Sequence, residues 1–338
     1  MKTFVIAEAG ANHNRDFEIA KELINVASES GADACKFQTY SSETLYAKNT
    51  PDFAGYNNIN QLIKDIELPR EWQKDLKSYC DSKDIEFMST PFDEKAVQEL
   101  VDLGVKRLKI AGFEATDPRF VDMVASTKLP IIMSIGIGFE MNYMGMFLDI
   151  FQKHGNHVTL LHCNNAYPTP MEDVNLKRIE TLKAFNGVDL VGLSDHTMTP
   201  LTPALAVAAG AEVIEKHFTL SRKMEGPDHP FAMEPEQLNQ MVEYIREAEK
   251  TMGSKSNGYT QSEKSFSKAR RSVVAKCDLK KGDILTEDNI TTKRPLLENS
   301  VPALDYNSVI GYPIADDIKA DTPLSKELIP QYYEPRIR

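Results

Sequence analysis

A single tryptophan and four cysteines among 338 residues set the first limits. Cys35, Cys80, Cys163 and Cys277 lie far apart with no paired zinc-ribbon spacing. A reduced, cytoplasmic chain is therefore a simpler account than a disulfide framework. Long apolar runs are also missing. Phe4 to Ala7 is cut short by Glu8, too brief for a secretory h-region. The least polar stretch, Leu201 to Ile214, contains Pro203 and Glu212 and cannot span a bilayer. Positive charge is in deficit, with 39 Lys and Arg against 50 Asp and Glu and a net charge of −11, which argues against nucleic acid and anionic membranes as partners. Glycine and proline, at 17 and 18, are too few for a collagen-like or mucin-like chain.

What is present is a regular series of short apolar runs bounded by turn signals: Phe4–Ala7, Ala32–Phe37, Ile85–Met88, Arg107–Ala111, Pro130–Ile135, His157–His162, Leu190–Leu193 and Glu212–His217. Each reads as a strand buried on both faces. Segments with three-to-four-residue apolar spacing lie between them, such as Ala20, Leu23, Ile24 and Ala27. Eight alternating units over about 250 residues predict an α/β fold of the (β/α)8 TIM-barrel type. Tyr40 to Pro69, with its NTPDFAGYNN cluster, is expected to be a long loop over the barrel mouth.

Reactive groups in such barrels come from the C-terminal ends of the strands. Here these ends carry Glu8, Lys36 and Gln38, Ser89 and Thr90, Lys109 and Glu114, then His162, Asn164, Asn165 and Tyr167. The last two strands end in Ser194-Asp195-His196 and Glu215-Lys216-His217. An isolated strand lysine commonly pairs with a carboxylate, and an isolated strand-end histidine is commonly a hydrogen-bonded core residue. Glu8–Lys36 and Glu114–Lys109 are open to the ion-pair reading, and Cys35 and Cys163 read as small buried filler. Recurrence favours chemistry. Polar or ionisable residues fall at the same end of seven strands, and packing alone does not keep placing charge there. Two lysines with Thr90, Ser194 and Asn165 suit a small multiply charged anion, a phosphate or phospho-carboxylate. His196 and His217 end consecutive strands and are placed to share one divalent ion, Mn2+ or Mg2+, with positions left open for water and substrate oxygen.

The sequence resembles the sialic acid synthases, including the legionaminic and pseudaminic acid synthases. The resemblance is carried by IAEAGANHN at 6–14, GADACKFQTY at 31–40, FMSTPFDE at 87–94, LKIAGFE at 108–114, LLHCNNAYPTPMEDVNL at 160–176, GLSDHT at 192–197 and EKHFTL at 215–220. GPDHPFAMEP at 226–235 and RRSVVAKCDLKKGDILTEDNITTKRP at 270–295 extend it over nearly the whole chain. It implies a barrel followed by a small antifreeze-like (SAF) domain. The implied reaction is condensation of phosphoenolpyruvate with an N-acetylated amino-sugar aldehyde, with N-acetylmannosamine leading over its diacetylated 6-deoxy and altrose analogues. On this resemblance Lys36, Thr90, Lys109, Asn165 and Ser194 hold phosphoenolpyruvate, and His196 and His217 hold the divalent metal. Gln38, Tyr167 and Asp228 meet the sugar, with Arg294 arriving from a partner subunit. Glu8 and Glu114 are the acid/base carboxylates, and His217 joins them in the catalytic set. Gly112-Phe113 departs from the Ser-Gly or Ser-Phe common in the family, and LLENSVPA replaces the glycine-rich turn after KRP.

The expected domains are a barrel at 1–250, a linker at 251–270 and the antifreeze-like domain at 271–338. The last is too small to be comfortable alone, which predicts a domain-swapped homodimer whose caps close each other's mouths. Two rival functions are a Schiff-base aldolase using Lys36, Lys109 or Lys216, and a non-catalytic sugar-acid binder.

Overall fold

Local signals start and stop each barrel unit. Asp16 accepts hydrogen bonds from the N–H groups of Glu18 and Ile19 and so opens α1 (Phe17–Glu29). Its Ala20, Leu23, Ile24 and Ala27 are buried, as the spacing predicts. The structure, a computed structural model, describes residues 2–52 and 57–333. The strands are β1 (Phe4–Gly10), β2 (Ala34–Thr39), β3 (Glu86–Pro91), β4 (Leu108–Ile110), β5 (Ile131–Ile135), β6 (Val158–Cys163), β7 (Leu190–Asp195) and β8 (Val213–His217). The remaining barrel-unit helices are α2 (Ile59–Ile66), α3 (Gln73–Ser82), α4 (Glu94–Leu103), α5 (Pro118–Ser126), α6 (Met144–His154), α7 (Arg178–Lys183), α8 (Leu201–Ala208) and α9 (Pro235–Met252).

All eight strands are parallel to their neighbours, in the order β3-β2-β1-β8-β7-β6-β5-β4. β3 and β4 lie against each other and bring the sheet round into a nearly closed ring. The expected (β/α)8 barrel is what forms. Its outer core, between strands and helices, gathers Val5, Leu23, Ile110, Leu193 and Ile214 among others. A separate layer inside the barrel consists of Ile6, Ala34, Met88, Ile132, Leu161 and Val213. Gly192 is required there because a Cβ would fall 2.0 Å from the Val213 carbonyl oxygen.

Two expectations need correction. Several strands run past their last apolar residue: β1 reaches Gly10, β2 Thr39, β3 Pro91 and β7 Asp195. Polar residues continue these strands because the barrel interior at this level is itself polar. Tyr40 to Pro69 is not wholly a loop, since α2 forms within it. Asn58 caps α2 by accepting from the Gln61 N–H, and Ile59 and Ile63 are its buried residues. Phe53 to Tyr56 of the NTPDFAGYNN cluster lie outside the described residues.

Ser254–Arg338 forms the second compact unit. Its start is largely exposed, with a 3-10 turn over Lys264–Ala269. β9 (Ser272–Ala275) pairs antiparallel with β10 (Ile290–Lys293). Val273, Leu285, Ile290, Val301, Val309, Ile314 and Leu324 form a core within this unit. Of the expected domain at 271–338, residues 334–338 lie outside the described residues.

Candidate active site

Side chains alternate across a strand, and one parity builds the site. The inner apolar layer holds Ile6, Ala34, Met88 and Val213. Two residues further along those strands stand Glu8, Lys36, Thr90 and Glu215, and all are buried. Lys109, Ser134, Cys163 and Ser194 complete this polar storey from the other strands.

Within it, Lys36 Nζ lies 2.8 Å from Glu8 Oε2 and 3.6 Å from Glu215 Oε2. Lys109 Nζ lies 3.6 Å from Glu215 Oε1 and donates to Ser134 Oγ at 2.8 Å. Lys36 also donates to Thr90 Oγ1 at 2.9 Å, and Ser194 Oγ donates to Glu215 Oε1 at 2.9 Å. One carboxylate therefore serves two ammonium groups. Burial opposes ionisation of Glu215, but Lys109 and Lys36 outweigh it and hold its carboxyl below the ordinary range. For Glu8, burial wins over Lys36 and pushes the carboxyl up to about 7. Burial pulls Lys109 down, opposed by Glu215.

Above this storey His196 and His217 face each other with ring centroids 5.5 Å apart. His196 Nδ1 donates to the Asn164 carbonyl at 2.7 Å, because a carbonyl only accepts. Burial lowers His196 to about 4 and His217 well below the usual imidazole value. Both rings are therefore neutral at pH 7, which leaves Nε2 of His196 with a free lone pair. His217 Nδ1 is buried without a hydrogen-bond partner, 3.8 Å from Asp228 Oδ2. Two neutral imidazoles with an unsatisfied buried nitrogen fit a divalent ion. Among the described residues no group of three or more His, Cys, Asp or Glu is placed to enclose one; two imidazoles alone would leave an ion open positions for water and substrate oxygen.

Outward of the histidines opens a cavity of about 520 Å³. Gln38, Tyr167 and Asp228 line it, and Gln38 Nε2 donates to Glu8 Oε1 at 2.8 Å. Tyr167 packs on His196 at 4.3 Å and on Phe231 at 5.1 Å. Part of the lining is apolar: Leu45, Ile59, Leu62, Ile63 and Phe92 belong to one packed cluster, and Phe113 adds to it. Gly10 is indispensable at the inner edge. Its φ is +53°, and a Cβ there would come 2.7 Å from Asp228 Oδ2.

Asn165 also lines this cavity, and its Oδ1 accepts from the Ile137 N–H at 2.8 Å. A Cβ at Gly112 would stand 3.2 Å from the Asn165 side chain, so the missing serine leaves that amide room. Glu114 sits on a 3-10 turn (Glu114–Thr116), its carboxyl raised by burial and its Oε2 lacking a hydrogen-bond partner. Lys109 pairs with Glu215 rather than with Glu114. Arg294 is an exposed residue of the second unit.

Several rim residues turn out to be structural. His162 is buried with Nε2 2.6 Å from the Val174 carbonyl, and Ser89 bonds Thr39. Lys216 and Asp195 form an ion pair on the opposite strand parity. Cys35 and Cys163 are buried, and burial raises both thiols, Cys163 to about 12. Sequence reasoning passed over Ser134, which accepts from Lys109, and assigned no role to Glu215. Counting back two residues from His217 along the inward face would have found it.

Residues 23–257 match the NeuB family, and residues 270–329 match the SAF domain. The chain is 39% identical to the N,N'-diacetyllegionaminic acid synthase of Legionella pneumophila, over 97% of this chain and 95% of that protein. It is 35% identical to the pseudaminic acid synthase of Helicobacter pylori, over 96% of each. Among solved structures, the N-acetylneuraminic acid (sialic acid) synthetase of Leptospira borgpetersenii in complex with citrate superposes with a TM-score of 0.73 at 33% identity, covering 79% of this chain and 90% of that one.

Proposed function

The chain belongs to the NeuB family, and from that premise we propose that it joins phosphoenolpyruvate to the open-chain aldehyde of an N-acetylated amino sugar. The products are phosphate and a nine-carbon α-keto sugar acid. The observation that carries this reading is the Lys36–Glu215–Lys109 cluster beneath two neutral imidazoles, one of which, His217, lines a largely apolar cavity.

Lys36 and Lys109, with Thr90, Ser194 and Asn165, hold the phosphate and carboxylate of phosphoenolpyruvate against one face of the barrel interior. A divalent ion, Mn2+ or Mg2+, held by His196 and His217 supplies Lewis-acid polarisation of the aldehyde oxygen when bound. The methylene carbon of phosphoenolpyruvate forms the new C–C bond, and the aldehyde oxygen ends as a hydroxyl. Positive charge then develops at C2, beside the phosphate-bearing oxygen. Glu8, already near neutral pH in its titration, and Glu114 are the carboxylates that stabilise this centre and take the proton from the water that adds there. Breaking the C–O bond to phosphate leaves the keto acid and releases the phosphate anion.

The acceptor separates this account from the first expectation, N-acetylmannosamine. Ile59, Leu62 and Ile63 with Phe92 and Phe113 give the cavity aliphatic and aromatic surface. A 6-deoxy sugar with a second acetamido group suits such a wall better. The 39% identity to a diacetyllegionaminic acid synthase points the same way. The diacetylated 6-deoxy analogue therefore leads, with the altrose analogue and N-acetylmannosamine behind it. The protein works as a homodimer in which the SAF domain of one subunit, through Arg294, closes the mouth of the other.

The Schiff-base rival is disfavoured at two of its three lysines by ion pairing. Burial opposes the charge on Lys36, but Glu215 and Glu8 outweigh it and hold Lys36 protonated. Lys216 is tied to Asp195 away from the site, which leaves Lys109, pulled down by burial, as the lysine that rival would need. Phosphate release measured across the three acceptors at fixed Mn2+ tests the proposal. Turnover lost with chelator and restored by Mn2+ is expected. Covalent trapping by borohydride would establish the aldolase, and no turnover with any acceptor would favour the binder.

A further inference from the structure

Asp195 and Lys216 are the last registered partners of the β7–β8 ladder. Lys216 Nζ stands 2.6 Å from Asp195 Oδ2, and the two side chains are 1% and 2% exposed. Asp195 also accepts from the Thr197 N–H at 3.0 Å and from the Thr197 hydroxyl at 2.9 Å. Lys216 donates to the Thr197 carbonyl as well. The network is closed and lies on the strand parity opposite to Ser194, Glu215 and the histidines, so it touches no substrate group.

Stability alone is a poor explanation for it. A buried ion pair commonly contributes no more than apolar residues of the same volume, because desolvation cancels much of the attraction. A directional pair adds something apolar packing lacks, a fixed register between two strand ends. The next residue after each member is a proposed metal ligand, His196 after Asp195 and His217 after Lys216. Beyond the pair the β7–β8 ladder stops, and backbone bonds from Thr169 to the His196 carbonyl and from Met233 to the His217 carbonyl lead the two chains apart.

We propose that the Asp195–Lys216 pair is a positioning device that fixes the separation and direction of His196 and His217, and so sets divalent-metal affinity. The inference rests on the two-imidazole reading given above. Outer-shell groups that orient ligands typically change metal affinity by about 10–100-fold when removed.

The test uses full-length, metal-free protein, with free Mn2+ followed by electron paramagnetic resonance and folding by circular dichroism and thermal melting, without substrate. The variants are Asp195→Asn, Lys216→Met and the double Asp195→Leu/Lys216→Met, with His217→Ala as control. The single variants are expected to weaken Mn2+ binding by about tenfold or more. The double variant, with no charge left unpaired, is expected to recover thermal stability while its Mn2+ affinity stays low. A double variant that binds Mn2+ as the wild type does, or single variants that lose melting temperature at unchanged affinity, would overturn the positioning role alone. A wild type whose Mn2+ binding is indifferent to His217→Ala would overturn the metal reading and the pair's role with it.

Discussion

Glu215 Oε1 lies 3.6 Å from Lys109 Nζ, and the other oxygen of the same carboxylate lies 3.6 Å from Lys36 Nζ. Two buried cations thus share one anion, with Glu8 a second and nearer partner for Lys36 at 2.8 Å. Glu215→Gln keeps an acceptor for Ser194 but leaves Lys109 without its carboxylate partner and Lys36 with Glu8 alone. Breaking a buried pair in this way costs about 3–5 kcal/mol. Urea unfolding is expected to show a loss of that order, together with a change in KM for phosphoenolpyruvate.

The turn after β1 depends on Gly10. Gly10→Ala forces a side chain into a left-handed backbone position and toward Asp228. The expected result is a stability loss of about 1 kcal/mol or more, with a raised KM for the amino sugar. Unfolding curves and initial rates measure the two effects separately.

Asp93, just past the C-terminal end of β3, joins three segments. It caps α4 through the Ala96 N–H at 2.7 Å, pairs with Arg70 at 2.6 Å and accepts from Thr44 at 3.0 Å. Burial opposes its ionisation, but the Ala96 N–H and the Arg70 guanidinium outweigh that and hold the carboxyl below its ordinary value. The folded pKa is depressed. The stabilisation is therefore full above the unfolded pKa, about 3.9, and disappears as pH falls through the folded value. Asp93→Ala is expected to cost about 1–2 kcal/mol at pH 7, with the gap to wild type narrowing below pH 4. Denaturant midpoints at both pH values check it.

On the proposed reading, the apolar wall sets acceptor choice. Ile63→Asn is expected to lower kcat/KM for the diacetylated 6-deoxy sugar roughly tenfold relative to N-acetylmannosamine. Competition between the two sugars reads this ratio directly.

The barrel is legible in the chain because buried parallel strands are short apolar runs, and those runs locate all eight. Their ends were harder to see. β7 continues through Ser194 and Asp195 because one side chain points into a polar interior and the next into an ion pair, and neither looks apolar. For the same reason Lys216 reads as a rim lysine until alternation puts it on the other face from His217. The α2 helix left a readable trace, since Ile59, Leu62, Ile63 and Ile66 keep helical spacing, but a polar, Asn-rich approach masks it. Lys36, Lys109 and the two histidines were nameable from strand ends. Their shared carboxylate needed the neighbouring strands in place, because Glu215 meets Lys36 and Lys109 from β2 and β4 across the barrel interior.

Oxygen-18 placed at the bridging C2–O–P position of phosphoenolpyruvate tests the central claim most directly. C–O cleavage at the Lys36–Lys109 site sends the label out with inorganic phosphate, as mass spectrometry of the released phosphate would record. Label retained in the sugar acid would contradict the account.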